Sequence, residues 1–105
     1  MFVRLSADGH VTLEDRDNFR AFKLVVEGGP DALDTARRAL SGTAELPDQS
    51  TAWIFEQALR QRSEVAQDAA WQENLGTMIA KAKPHGWIDE QKRAIKAHIE
   101  WTGKA

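Results

Sequence analysis

The sequence predicts a mainly α protein: a compact bundle of four to five helices with a small N-terminal β-hairpin. Three observations lead there. Four segments repeat the apolar spacing of an amphipathic helix. Their ends are marked by glycine, proline or a capping side chain, as at Gly28-Gly29-Pro30, Gly42 and Pro84-His85-Gly86. Ahead of them, Asp8-Gly9 lies between two alternating stretches, Phe2 to Leu5 and Val11 to Leu13, which is a hairpin signal.

An isolated hairpin is marginal in water, so residues 1–14 should lie on the helices or pair with another chain. Residues 15–27 read as the first helix, with Phe19, Phe22 and Val26 on one stripe and Gly28-Gly29 at its end. Leu24 lies off that stripe, and residues 22–26 also read as a short strand. Pro30 suits the first position of a second helix, which runs to Ser41 and stops at Gly42. Leu33, Ala36, Arg37 and Leu40 form its inner face. Residues 43–47 are a connector.

A third helix follows Asp48 or Ser50, either of which is a suitable N-cap. Ile54, Phe55, Ala58, Leu59 and Val65 gather on one side of it, and Trp53 projects nearly opposite. Trp53 either packs on the connector or serves as an exposed contact residue. A bend near residues 63–68 leads into a fourth helix over 67–83. Trp71, Leu75, Met78, Ile79 and Ala82 share one of its faces, and Gly76 costs it about 1 kcal/mol relative to alanine. A fifth helix covers residues 87–101, with Asp89 and Glu90 at its positive end. Short connections favour antiparallel neighbours, and residues 1–105 are read as a single domain.

Composition narrows the functional classes. Hydrophobic residues make up 42% and charged residues 29% of the 105, which is globular composition. Net charge is −2, and neither half carries the basic footprint of a general nucleic-acid binder. The absence of cysteine excludes disulfides, zinc ribbons and thiol catalysis. The opening Met1-Phe2-Val3-Arg4-Leu5-Ser6 lacks the apolar core of a signal peptide, and the longest apolar run, Ala52 to Phe55, is too short for a membrane span. A cytoplasmic location and no membrane association are the expectation.

The last predicted helix carries two apolar stripes at 100° per residue. Ile88, Ile95 and Ile99 form one; Trp87, Ala94, His98 and Trp101 form the other. Two adjacent stripes call for two neighbours, and in a terminal helix one of them can be a second copy of the chain. The predicted interaction surface is therefore Trp87, Ala94, His98, Trp101 and Trp53, in a homodimer. Packing of both stripes inside one subunit is the alternative.

Little supports catalysis. His10, His85 and His98 are far apart and lack helical metal-pair spacing. His98-Ile99-Glu100 matches a fragment of the zinc-deaminase signature, but its cysteines are missing. The serines stand at turns or helix ends, none in a nucleophile elbow. Asp31 and Asp34 make the helix start after Gly28-Gly29 a poor phosphate site. No catalytic residue, metal or cofactor is predicted. Glu56–Arg60, Lys23–Glu27 and Lys96–Glu100 read as helical i, i+4 pairs.

The function predicted first is thus a non-enzymatic interaction module that self-associates through its last helix. A second reading is a DNA- or RNA-binding regulator using Lys81, Lys83, Lys92, Arg93 and Lys96, a cluster that Asp89 and Glu90 dilute to +3. A third is a small-ligand or catalytic protein with a pocket near Trp71, Trp87 and His98.

Overall fold

The hairpin forms as its turn dictates. β1 (Phe2–Leu5) and β2 (Val11–Glu14) pair antiparallel, Gly9 takes a φ of +90°, and the Ser6 N–H donates to the His10 carbonyl at 2.9 Å. Beyond it the architecture departs from the predicted bundle. In a computed structural model, which describes residues 1–103, the chain forms a curled mixed sheet of seven strands with three short helices. The remaining strands are β3 (Lys23–Val26), β4 (Ala44–Glu45), β5 (Thr51–Phe55), β6 (Ile88–Asp89) and β7 (Ala94–Trp101). Their order is β2-β1-β3-β7-β5-β4, with β6 also paired to β7. β3 is parallel to both β1 and β7; every other pairing is antiparallel. The helices are α1 (Leu33–Ala39), α2 (Glu56–Arg60) and α3 (Ala69–Ala82).

Three of the five predicted helices are replaced in whole or in part by strand and turn. Residues 15–27 do not form a helix: Asp15 adopts a φ of +50° and opens a turn, and β3 follows. Leu24, Val25 and Val26 are all buried: Leu24 and Val26 face the core, and Val25 lies on the other face, in register with Arg4 and Glu100, so the strand reads as one apolar run. The third helix is reduced to α2. Asp48 does cap, but its carboxylate accepts from the Ser50 and Thr51 N–H groups at 2.8 and 2.9 Å and launches a strand instead of a helix. Thr51-Ala52-Trp53-Ile54-Phe55 then alternates, with Ala52 and Ile54 buried. Residues 87–101 form β6 and β7, with Ile95, Ala97 and Ile99 buried and Lys96, His98 and Glu100 exposed. Asp89 accepts from the Gln91 and Lys92 N–H groups in the intervening turn, where Arg93 has a φ of +53°. The two helical stripes from which self-association was argued are therefore absent.

Two helical predictions match the structure closely. α1 follows a 3-10 turn at Pro30–Ala32, and Gly42 closes its exit with a φ of +84°. α3 starts at Asp68, whose carboxylate accepts from the Trp71 N–H at 3.0 Å, and it buries Trp71, Leu75, Ile79 and Ala82.

Register explains where the core lies. Val3 stands opposite Leu13 and Leu24, Leu24 opposite Ile99, and Ile54 opposite Ile95, so one sheet face is continuously apolar. All three helices pack on that face through Ala36, Leu40, Leu59, Trp71, Leu75 and Ile79. The opposite face is laced by ion pairs. Lys23 and Glu100, each assigned a helical partner from sequence, pair with one another across β3 and β7 at 3.3 Å. Glu27 is 3.4 Å from Arg4 on β1, and of the predicted pairs Glu56–Arg60 forms, at 2.7 Å.

β2 is an edge strand, and its outward backbone groups are covered by side chains. The Leu13 N–H donates to Glu64 at 3.1 Å, and Arg62 Nη2 donates to the Val11 carbonyl at 2.7 Å. Arg62 and Glu64 also pair with each other at 3.1 Å. Such a cover blunts an edge that otherwise invites another strand. Burial pushes the Glu64 carboxyl up, but hydrogen bonds from its own N–H, from Leu13 and from Arg62 outweigh burial and leave it below its ordinary value. A carboxylate lowered in the folded state stabilises above the ordinary carboxyl range, and that stability is lost as pH falls through the folded value. Glu64→Gln should accordingly cost about 1–2 kcal/mol in urea unfolding at pH 7. The difference from wild type should shrink below about pH 4.5.

Candidate functional site

β7 is the strand around which the site is built. One of its edges is covered by β5 along residues 94–98. The other edge is shared: β6 pairs with Ala94 and Ile95, the Lys96 N–H donates to the Trp87 carbonyl at 2.7 Å, and β3 joins only from His98 onward. β6 and β3 thus flank a gap in the sheet at Ala97. A cleft of about 850 Å³ opens there.

Four further segments wall the cleft. The loop before β3 supplies Phe19, Arg20, Ala21 and Phe22, and the last turns of α3 supply Met78, Lys81 and Ala82. His85 and Trp87 come from the turn between α3 and β6, while Ser50 precedes β5 and Thr51 begins it. From β7 both the inward Ile95 and Ala97 and the outward Lys96 and His98 take part, so the cleft meets that strand at its edge.

Local chemistry holds these segments in place. The 15–22 loop is pinned by the Arg16 carbonyl, which accepts from Trp71 Nε1 at 2.9 Å, and by Asn18 Oδ1, which accepts from the Arg20 N–H at 3.1 Å. Phe19 packs on Trp71 with ring centroids 6.0 Å apart. Gly86, at a φ of +76°, lets the chain reverse from α3 into β6, a conformation that a β-carbon would strain. The His85 and Trp87 rings that flank this glycine stack with centroids 4.4 Å apart and planes 20° from parallel. Trp87 is 48% exposed and is the one large hydrophobic side chain among the described residues left so open to solvent.

The electrostatics of the cleft are one-sided. Arg20, Lys81, Lys96 and two histidines line it, with no carboxylate. Among the described residues Arg20, Lys81 and Lys96 make no ion pair. Neighbouring lysines are neutralised: Lys23 by Glu100, Lys83 by Glu90 at 3.5 Å and Lys92 by Glu45 at 2.6 Å. The hydrogen bond and the charge of Glu45 raise the Lys92 ammonium above its ordinary value.

The residues singled out from sequence are thereby divided. Trp87 and His98 share the cleft with Lys81 and Lys96. Ala94 is buried between Phe55 and Asp89. Trp101 packs half-buried on the core side of β7, away from His98, and its Nε1 donates to the Gln49 carbonyl at 2.8 Å. Trp53 faces Lys96 across β5 and β7 and borders a separate open depression of about 470 Å³ with Lys83 and Ile88. Lys92 and Arg93 line a third hollow, near Gly42 and Phe55. The five basic residues proposed as nucleic-acid contacts thus border three different hollows.

Arg20, Phe22, Ser50 and Thr51 carried no functional signal in the sequence. Phe19-Arg20-Ala21-Phe22 interleaves aromatic rings with a cation, but a helical reading assigns both rings to the buried stripe and turns Arg20 away from it. His85, exposed in the turn after α3, stacks on Trp87. No three His, Cys, Asp or Glu side chains converge among the described residues, and no helix there is long and apolar enough to cross a membrane. The chain matches no family model, no curated protein and no solved structure.

Proposed function

We propose that the protein binds a small organic anion with a flat aromatic body in the cleft beside β7. One observation carries this reading. Three cations without ion-pair partners among the described residues face a cavity lined by aromatic rings and no acid, in a chain whose net charge is −2. Folding brings these like charges together from three separate segments, and their mutual repulsion is relieved when an anion enters. The volume lies within the range of about 300–1,000 Å³ common to small-molecule sites, and the lining of rings and aliphatic side chains with a few polar groups matches their composition.

Lys96→Glu tests it. An exposed ion pair is worth up to about 1 kcal/mol, and reversing the charge replaces that attraction with a similar repulsion, so affinity should fall by up to about thirtyfold. Titration with 1-naphthoate should show saturable 1:1 binding to the wild type that weakens with added salt. Equal affinity in wild type and Lys96→Glu would count decisively against this site.

A further inference from the structure

We infer that the anion is a nucleoside phosphate, its base stacked on the His85–Trp87 pair and its phosphate held by Lys81, Lys96 and Arg20. This rests on the anion-binding reading above and narrows it. Charge is the first argument. A monocarboxylate needs one cation, whereas this cleft presents three unpaired ones, which suits the two charges of a phosphate monoester. Hydrogen-bonding capacity is the second. Arginine and lysine only donate, the Ser50 and Thr51 hydroxyls and the His85 and His98 rings can donate as well as accept, and no carboxylate or side-chain amide lines the cleft. A ligand rich in acceptor oxygens satisfies such a lining.

The aromatic pair supplies the third argument. His85 and Trp87 are already stacked at 4.4 Å, and Trp87 is 48% exposed. A planar base extends that stack in the way bases stack on protein aromatics generally. The distribution of charge then favours a mononucleotide over a nucleic-acid strand. Outside the cleft Lys83 and Lys92 are neutralised by Glu90 and Glu45, so no run of cations continues along a phosphate backbone.

Calorimetric titration of the full chain separates the possibilities. Adenosine 5′-monophosphate should bind about tenfold or more tighter than 1-naphthoate, adenosine or ribose 5-phosphate, because only the nucleotide uses both halves of the site. Trp87→Ala should reduce the nucleotide to the affinity of ribose 5-phosphate and leave ribose 5-phosphate itself unaffected. Trp87→Phe should restore most of the loss. Lys81→Gln should weaken both phosphates and not adenosine. If naphthoate binds and the nucleotide binds no tighter, the nucleotide assignment is wrong while the anion site stands. If no anion binds, both are wrong. A single-stranded oligonucleotide that binds far more tightly than the mononucleotide would also overturn the assignment.

Discussion

Trp71→Ala should destabilise the protein by about 3–5 kcal/mol, a large share of the stability of a domain this size. Trp71 is 2% exposed and is the largest fully buried side chain among the described residues. Its removal leaves a cavity between α3 and the sheet and takes away the ring on which Phe19 rests. It also deprives the Arg16 carbonyl of its donor. Trp71→Phe separates these contributions, since it keeps an aromatic ring and loses only the Nε1 hydrogen bond and part of the volume. That variant should lose about 1–2 kcal/mol. Urea unfolding at neutral pH measures both. A loss below about 1 kcal/mol for Trp71→Ala would mean that the indole is not a core residue. Because Phe19 walls the cleft, the alanine variant should also bind 1-naphthoate more weakly even where it remains folded.

Leu24→Ala has the second-largest expected effect, about 2–5 kcal/mol. It also decides between two readings of the same segment. On a helix over residues 15–27, Leu24 falls outside the stripe of Phe19, Phe22 and Val26, and its truncation is nearly neutral. On β3, Leu24 is completely buried and sits between Val3 and Ile99 in the middle of the sheet. A chemical-denaturation midpoint that barely moves would restore the helix. A shift equivalent to several kcal/mol fits the strand alone.

The sequence announced its structure wherever a local interaction dictates the outcome. Asp8-Gly9 made its hairpin, Pro30 and Gly42 bracketed α1, and the spacing of Trp71, Leu75, Ile79 and Ala82 marked α3. It misled where two periodicities coincide. Ile95 and Ile99 are four residues apart, a separation that returns a side chain to the same side of a helix and of a strand alike. Ala94 and His98 share that ambiguity. Only the intervening Ala97, buried beside Ala52, distinguishes the two, and alanine is a weak marker of a strand. Aspartate was equally ambiguous, because Asp48 and Asp89 cap turns that lead into or between strands with the same carboxylate-to-N–H bonds that start a helix. In β3, burial on both faces erased the alternation by which strands are recognised.

The site was legible in fragments. Trp87, His98, Lys81 and Lys96 were each noticed, but in different roles, because they belong to three elements whose adjacency depends on which strands β7 pairs with. The gap at Ala97 exists only because β6 ends where β3 has not yet begun. Strand order of that kind is a long-range property with no local signature.

The parallel seam between β3 and β7 also governs the order of assembly. Residues 23–26 leave the ribosome long before residues 98–101, so any early unit made of the first three strands waits with one flank unzipped until β7 has also emerged. That later stretch inserts into the middle of the array and not at its rim, and the two parts of the sheet complete each other only then.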